Sequence, residues 1–205
     1  MIKIGLTGNR YSGKDRVARL FQQISIPVFQ ADIVLKFILN HNFEIQHNLK
    51  KNIGNGIFKS ETEFDTQVIK LMTNGFDRVF DEAEFELLKA YEKFRLKNRQ
   101  SIYTVFHSSI LFERELDKNM DYTISVFSPI TERIERCQYL DPSKSLSGIH
   151  DLMGGEMKDL DKNKKSTYII HNYSDHILGG MGDQVTKIDQ KIIDKYLQNE
   201  HSWKV

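Results

Sequence analysis

Cysteine is nearly absent from this chain, proline is scarce, and neither sign of charge predominates. The one cysteine, Cys137, excludes an internal disulfide framework and fits a reducing, cytoplasmic setting. Three prolines, Pro27, Pro129 and Pro142, leave no proline-rich linker to mark a domain boundary. Lys+Arg number 29 against Asp+Glu 28, so bulk charge gives no reason to expect nucleic acid or an acidic membrane as a partner. No segment approaches about eighteen unbroken apolar residues, and the opening "MIKIGLTGNR" has no long apolar stretch of the kind that directs export. No internal repeat or low-complexity tract stands out. What remains is the profile of a soluble intracellular protein of 205 residues, one domain with room for a helical insertion and a real core.

The apolar pattern alternates between strand and helix. "KIGLTG" reads as a short buried strand ending in glycine, and "KDRVARLFQQI" follows with Val17, Leu20, Phe21 and Ile24 at helical spacing. "IPVFQAD" reads as a second strand, opened by Pro27 and closed by Asp32, before the helix "IVLKFILNH". A strand, loop, helix and strand within about thirty residues is a βαβ unit and favours a parallel sheet. Residues 61–99 are charged and helical in period, with Phe76, Phe80, Phe85 and Tyr91 spaced as packing residues. "SIYTVFHSSILF" and "DYTISVFSP" are two further strands joined by "ERELDKNM". "ITERIERCQYL" is helical, "STYIIHN" is another strand, and "QVTKIDQKIIDKYLQ" is the closing helix. The expectation is a three-layer α/β domain with a core of about 1–40 and 101–205, and a helical insertion of about 45–100.

The chemistry concentrates at positions 8–16, "GNRYSGKDR". The stretch follows the pattern G-x-x-x-x-G-K-[ST] except at its last position, Asp15. Such a loop works because successive backbone N–H groups and a helix N-terminus converge on one anion. Gly8 and Gly13 allow the close backbone approach, and Lys14 brings a point charge to the outer phosphates. Asn9, Arg10, Tyr11 and Ser12 supply the intervening backbone, and Arg16 either adds a phosphate contact or is simply exposed. Asp15 either ligates magnesium, since hard cations take carboxylate oxygens readily, or is a helix-N-terminal residue that turns away. The plainer reading of the whole stretch is a glycine-containing turn with a surface lysine and a capping Asp.

The sequence resembles the dephospho-coenzyme A kinase family of phosphate-loop kinases over most of its length, about 40–100 excepted. "KIGLTGNRYSGKDRVARLFQQISIPVFQAD" is similar to that family's opening of strand, loop, helix and strand ending in D-A-D. "SSILFERELDKNMDYTISVFSPITERIERC" is similar to its P-L-L-F-E segment, V-x-x-P strand and Arg-bearing helix. "MKDLDKNKKSTYIIHN" resembles its M-x-x-x-x-K-R-x-x-A-D-Y-V-I-D-N stretch without a gap. The resemblance implies a parallel sheet of the P-loop NTPase and nucleoside-monophosphate-kinase type with a small lid at about 136–165. It implies ATP and magnesium, a small-molecule acceptor, and a monomer or small homo-oligomer. The implied reaction is transfer of the ATP γ-phosphate to the 3′-hydroxyl of dephospho-CoA, the last step of CoA synthesis. Asp32 falls on the second Asp of D-A-D, which implies the base near the acceptor hydroxyl and magnesium; a helix cap is its other reading. Arg133 and Arg136 fall where lid arginines clamp nucleotide phosphates, while "ITERIERC" also reads as an exposed helix with internal Glu–Arg pairing. Asn172 follows the last strand on the nucleotide side. Lys162, Lys164 and Lys165 read more simply as a solvated charge run.

Several positions depart from that pattern. Gln30 stands for the first Asp of D-A-D, His107 for the Asp of D-x-P-L-L-F-E, Ser109 for its Pro, His171 for the Asp of I-D-N, and Leu140 for the second lid arginine. His171, Asp175 and His176 match no strong zinc spacing and read as surface or structural residues. Two other functions fit the same residues: a nucleoside or deoxynucleoside monophosphate kinase, and a nucleotide-binding protein without catalysis.

Overall fold

The computed structural model describes residues 1–60, 63–64, 75–173 and 179–202, with side chains of the final helix as far as residue 198. Part of the helical stretch read from 61–99 lies outside the described residues, as do Asp175 and His176. The chain divides into two compact units, Met1–Phe29 with Asn98–Val205, and Gln30–Lys97.

The first unit is built on parallel strands. They are β1 (Ile2–Gly8), β2 (Val28–Gln30, whose last residue opens the second unit), β3 (Tyr103–His107), β4 (Tyr122–Phe127) and β5 (Tyr168–His171). Among the described residues the sheet order is β2-β3-β1-β4-β5. β1 runs parallel to β3, with Leu6 opposite His107, and parallel to β4, with Gly8 opposite Val126. β4 runs parallel to β5. A sheet covered on both faces needs apolar side chains in both directions, and all five residues of β3 are buried. α1 (Lys14–Gln23) buries Val17, Ala18 and Phe21, and α8 (Met181–Ser202) packs beside it. Together with Ile4, Leu6, Tyr103, Val105, Ile124, Val126 and Ile170 these make the main core, in which each fully buried aliphatic or aromatic side chain contributes about 2 kcal/mol. α5 (Ile130–Leu140), α6 (Leu146–Gly154) and α7 (Asp159–Lys165) lie between β4 and β5 in the chain. Ser145 caps α6, its Oγ accepting from Gly148 N at 3.1 Å. A small second cluster joins Cys137, Ile149 and Met153 with Tyr11 and Ile134.

The second unit is helical. It holds α2 (Ala31–His41), α3 (Phe43–Asn52) and α4 (Gly75–Lys97), with α2 and α3 packed on α4. Asn42 caps α3 by accepting from Glu44 N and Ile45 N. Leu35, Ile45, Leu49, Val79, Phe80, Ala83, Leu87 and Tyr91 are buried. Two expectations change here. Phe80 and Tyr91 do pack, but Phe76 is 46% and Phe85 73% exposed. Phe85 follows Phe80 by five positions, about 140° around a helix at 100° per residue, so it leaves the apolar face. The strand before α2 also ends earlier than its sequence suggests: Ala31 already opens the helix, and Asp32 sits in its first turn. An acidic residue there interacts favourably with the helix dipole. No helix among the described residues is long and apolar enough to cross a membrane.

Candidate active site

β1 ends at Gly8, and after five intervening residues Lys14 opens α1. Two glycines make that turn possible. A side chain at Gly8 would meet Val126 O at 2.8 Å. Gly13 has φ 95°, a left-handed conformation, and a Cβ there would overlap Asn172 Nδ2. Tyr11 also adopts positive φ, at 61°. Its ring is held by the cluster around Cys137, and its hydrogen bond with that thiol is the main reason the phenol is pushed up from its usual range.

The turn is closed by its own backbone at the Asn9 and Gly13 carbonyls and held from outside at those of Arg10, Tyr11 and Ser12. Asn9 O accepts from Ser12 N at 3.1 Å. Arg10 O accepts from Arg133 Nη1 at 3.2 Å, and Tyr11 O from Arg136 Nη1 at 3.0 Å. Ser12 O accepts from Asn172 Nδ2 at 2.7 Å, and Gly13 O from Arg16 N and Val17 N. Each brace is itself braced. Arg133 is 4% exposed and donates to Glu156 Oε2 at 2.8 Å and Asp159 Oδ2 at 3.1 Å. Glu156 Oε1 accepts from Arg10 N at 2.7 Å. Asn9 Nδ2 donates to Met157 O and Asp159 Oδ1, both at 2.9 Å. Burial pushes the Asp159 carboxyl up, against the pull of the Arg133 charge. Arg136 donates to Ser128 Oγ, Glu132 Oε2 and Asn172 O as well.

With the carbonyls all engaged, the donors are left over. Among the described residues the N–H groups of Gly13, Lys14 and Asp15 have no internal acceptor. Thr7 Oγ1, Asn9 Oδ1 and Ser12 Oγ are buried there without a hydrogen-bond partner. Lys14 is buried at the head of α1. A row of unpaired backbone donors at a helix N-terminus, with an ammonium beside it, fits a phosphate chain. Asp15 fits a magnesium ion. Its side chain is 68% exposed, its Oδ1 lies 3.3 Å from His107 Nε2, and its pKa is lowered to about 2, chiefly by the His107 hydrogen bond and then by the Lys14 charge. Among the described residues no three His, Cys, Asp or Glu side chains form a metal cage, whereas magnesium typically takes one or two carboxylates and substrate phosphates.

The structure thus brings Gly8 to Asp15, Arg133, Arg136 and Asn172 into one place, at the carboxyl ends of β1, β4 and β5, where open α/β sheets bind ligands. Arg16 is exposed. Asp32 belongs to the other unit, in the first turn of α2. Lys164 and Lys165 are exposed, as a solvated run would be. Lys162 is not: it is 1% exposed, donates to Ser109 O at 3.2 Å and pairs with Glu113 Oε1 at 2.8 Å. At His171 the backbone N–H donates to Gln184 Oε1. Glu156, Asp159 and Ser128 are the members of the site that sequence reasoning missed. No motif marks them, and only the contacts of Arg133 and Arg136 reveal them.

The model of one family, dephospho-CoA kinase, matches residues 2–177. A dephospho-CoA kinase of Clostridium perfringens is 24% identical over 186 residues, covering 87% of this chain and 92% of the relative. A crystal structure of a Thermus thermophilus protein superposes with a TM-score of 0.74 at 20% identity, over 95% of this chain and 97% of that one. A dephospho-CoA kinase of Campylobacter jejuni superposes with a TM-score of 0.62 at 16% identity, over 93% and 96%. At those identities the superpositions speak to the fold.

Proposed function

The chain belongs to the dephospho-CoA kinase family, and we propose that its phosphate loop performs the family's reaction with Lys14, Asp32 and Arg136 as the residues that carry it. The reaction is transfer of the γ-phosphoryl group of ATP to the 3′-hydroxyl of dephospho-CoA, which yields CoA. The observation that supports this most is the loop itself: the carbonyls of Arg10, Tyr11 and Ser12 are held by side chains from outside it, and the N–H groups of Gly13, Lys14 and Asp15 are left unpaired among the described residues. Phosphoryl transfer is catalysed mainly by positioning and by charge. The backbone of Gly8–Asp15 binds the phosphate chain, and the Lys14 ammonium offsets charge that develops on the transferring group. Arg136 keeps its guanidinium beside the loop, bridging Tyr11 O and Asn172 O, so it fixes the loop while contributing positive charge. Arg133, buried between Glu156 and Asp159, acts as a brace. Asp32 accepts the proton of the acceptor hydroxyl, a task that needs an ionised carboxylate. Asp15 and Asp32 would hold magnesium, which when bound neutralises phosphate charge. Residues 136–165 form the lid, and the free thiol of Cys137 supports a cytoplasmic setting.

The test is ATP consumption with dephospho-CoA and with each nucleoside monophosphate. The expected result is turnover of dephospho-CoA, loss of nucleotide binding in Lys14→Ala, and a kcat lower by about 10²-fold or more in Asp32→Asn with ATP affinity retained. Turnover of AMP or dTMP without dephospho-CoA overturns the acceptor, and ATP binding without any turnover overturns catalysis.

A further inference from the structure

Two positions of this chain depart from their motifs in opposite directions, and the structure puts them in contact. At the end of the phosphate loop a carboxylate, Asp15, stands where the pattern has a hydroxyl. At the last residue of β3 an imidazole, His107, stands where the resembled segment has a carboxylate. His107 Nε2 and Asp15 Oδ1 are 3.3 Å apart. We propose that they are an exchanged pair: phosphate-loop enzymes commonly hold the cation with the loop hydroxyl and a separate carboxylate, and here the carboxylate stands in the first turn of α1 while His107, at the end of β3, is the residue that positions it. The inference deepens the proposed function and rests on its reading of the loop as a nucleotide–magnesium site.

The surroundings of each partner suit these roles. His107 is 4% exposed and is fixed by the pairing of β3 with β1, opposite Leu6. The next residue holds the same junction, Ser108 N donating to Leu6 O at 3.0 Å. The imidazole is therefore held rigidly on the sheet, with Nε2 3.3 Å from the Asp15 carboxylate. Asp15 is mostly solvent-facing, on a short side chain whose rotamer nothing else among the described residues holds. One oxygen meets His107. Oδ2 has no partner among the described residues and remains available to a hard cation. A carboxylate retained at 107 would instead place two like charges about 3 Å apart, which strongly raises one carboxyl's pKa. An N–H donor removes that conflict and fixes the remaining carboxylate. Positioning through a neighbouring hydrogen bond is how surrounding residues tune metal ligands in general, commonly by about 10–100-fold in affinity.

The experiment measures Mn²⁺ binding by electron paramagnetic resonance on the full chain with a non-hydrolysable ATP analogue. Nucleotide affinity without metal is measured in parallel. Asp15→Ser alone should weaken Mn²⁺ about tenfold or more, read relative to the same variant's own metal-free nucleotide affinity. Adding His107→Asp to it rebuilds the ordinary hydroxyl–carboxylate couple and should return Mn²⁺ affinity to within about threefold of the natural chain. His107→Gln, which keeps an N–H donor, should bind Mn²⁺ more tightly than His107→Ala. Mn²⁺ affinity unchanged in Asp15→Ser, or no recovery in the double variant, overturns the exchange and leaves the phosphate loop standing. A natural chain that binds no nucleotide overturns the loop and the pair together. The double variant restores rather than removes a function, so misfolding cannot imitate its expected result.

Discussion

Replacing Gly13 by alanine puts a methyl group where the loop offers neither backbone freedom nor space. At φ 95° an L-residue other than glycine costs about 1 kcal/mol or somewhat more. The new Cβ would overlap Asn172 Nδ2 and lie 3.7 Å from Met181 Sδ. Asn172 cannot yield without loss, because Nδ2 donates to Ser12 O at 2.7 Å and its own carbonyl accepts from Arg136. Displacing it gives up a hydrogen bond of about 1 kcal/mol, and the crowding adds about 1 kcal/mol. Gly13→Ala should therefore destabilise the chain by about 3 kcal/mol. With a urea slope of about 2–3 kcal/mol/M, the unfolding midpoint falls by about 1 M. Asn172→Ala alone should cost about 1 kcal/mol for the lost bond to Ser12 O. In the double variant the clash has no second partner and the bond is already gone, so the total should be about 2 kcal/mol instead of the additive sum of about 4. Urea unfolding of the four proteins gives a coupling of about 2 kcal/mol, far outside the roughly 0.3–0.5 kcal/mol scatter of independent sites. Additive costs would refute the reasoning, since they would mean that Gly13 is required for its backbone angle alone.

Two more outcomes follow from the buried charges. Arg133→Ala leaves Glu156 and Asp159 facing each other without their guanidinium. The expected cost is about 3 kcal/mol, read in a thermal melt as a drop of about 6–12 °C for a chain of this size; an unchanged melting temperature would show that Arg133 is not the brace described. Lys162→Ala strips Glu113 and Ser109 O of a donor and should cost about 2–3 kcal/mol. Lys164→Ala and Lys165→Ala, on exposed positions of the same helix, should stay within about 0.5 kcal/mol by urea titration.

Much of this protein is legible in its sequence, for reasons that are local. β1, β3 and β4 are short runs of apolar and β-branched residues, the pattern of parallel strands buried on both faces. The phosphate loop is legible because only glycine suits positions 8 and 13, and because Lys14 completes the spacing between a strand and a helix, the context that gives the motif its meaning. α3 and α6 were harder. "FEIQHNLKKN" carries few apolar residues and "LSGIHDLMG" is short with two glycines inside it, and their caps, Asn42 and Ser145, gain meaning only once a helix follows. What local pattern cannot reveal is partnership. Lys162 and Lys164 look alike in "KNKK", yet one is sealed against Glu113 while the other faces water. Glu156 and Asp159 are ordinary acids until Arg133 is folded between them. Asp15 and His107 read as two unrelated departures, because a contact across 92 positions leaves no trace in either neighbourhood.

The bracing of the loop carbonyls also bears on how the chain comes into being. The motif is complete once residue 16 has been synthesised, but the side chains that shape it arrive much later. Arg133 and Arg136 lie 123 and 125 positions beyond the carbonyls they hold. Glu156 comes 146 positions after Arg10, and Asn172 160 positions after Ser12. At about 5–20 residues per second, a ribosome needs several seconds or more to close that gap. Until Asn172 has emerged, the nascent chain carries the whole signature of a nucleotide site without its complete frame. A fragment ending before β5 would keep every residue by which the loop is recognised and still lack part of the frame that makes it a loop.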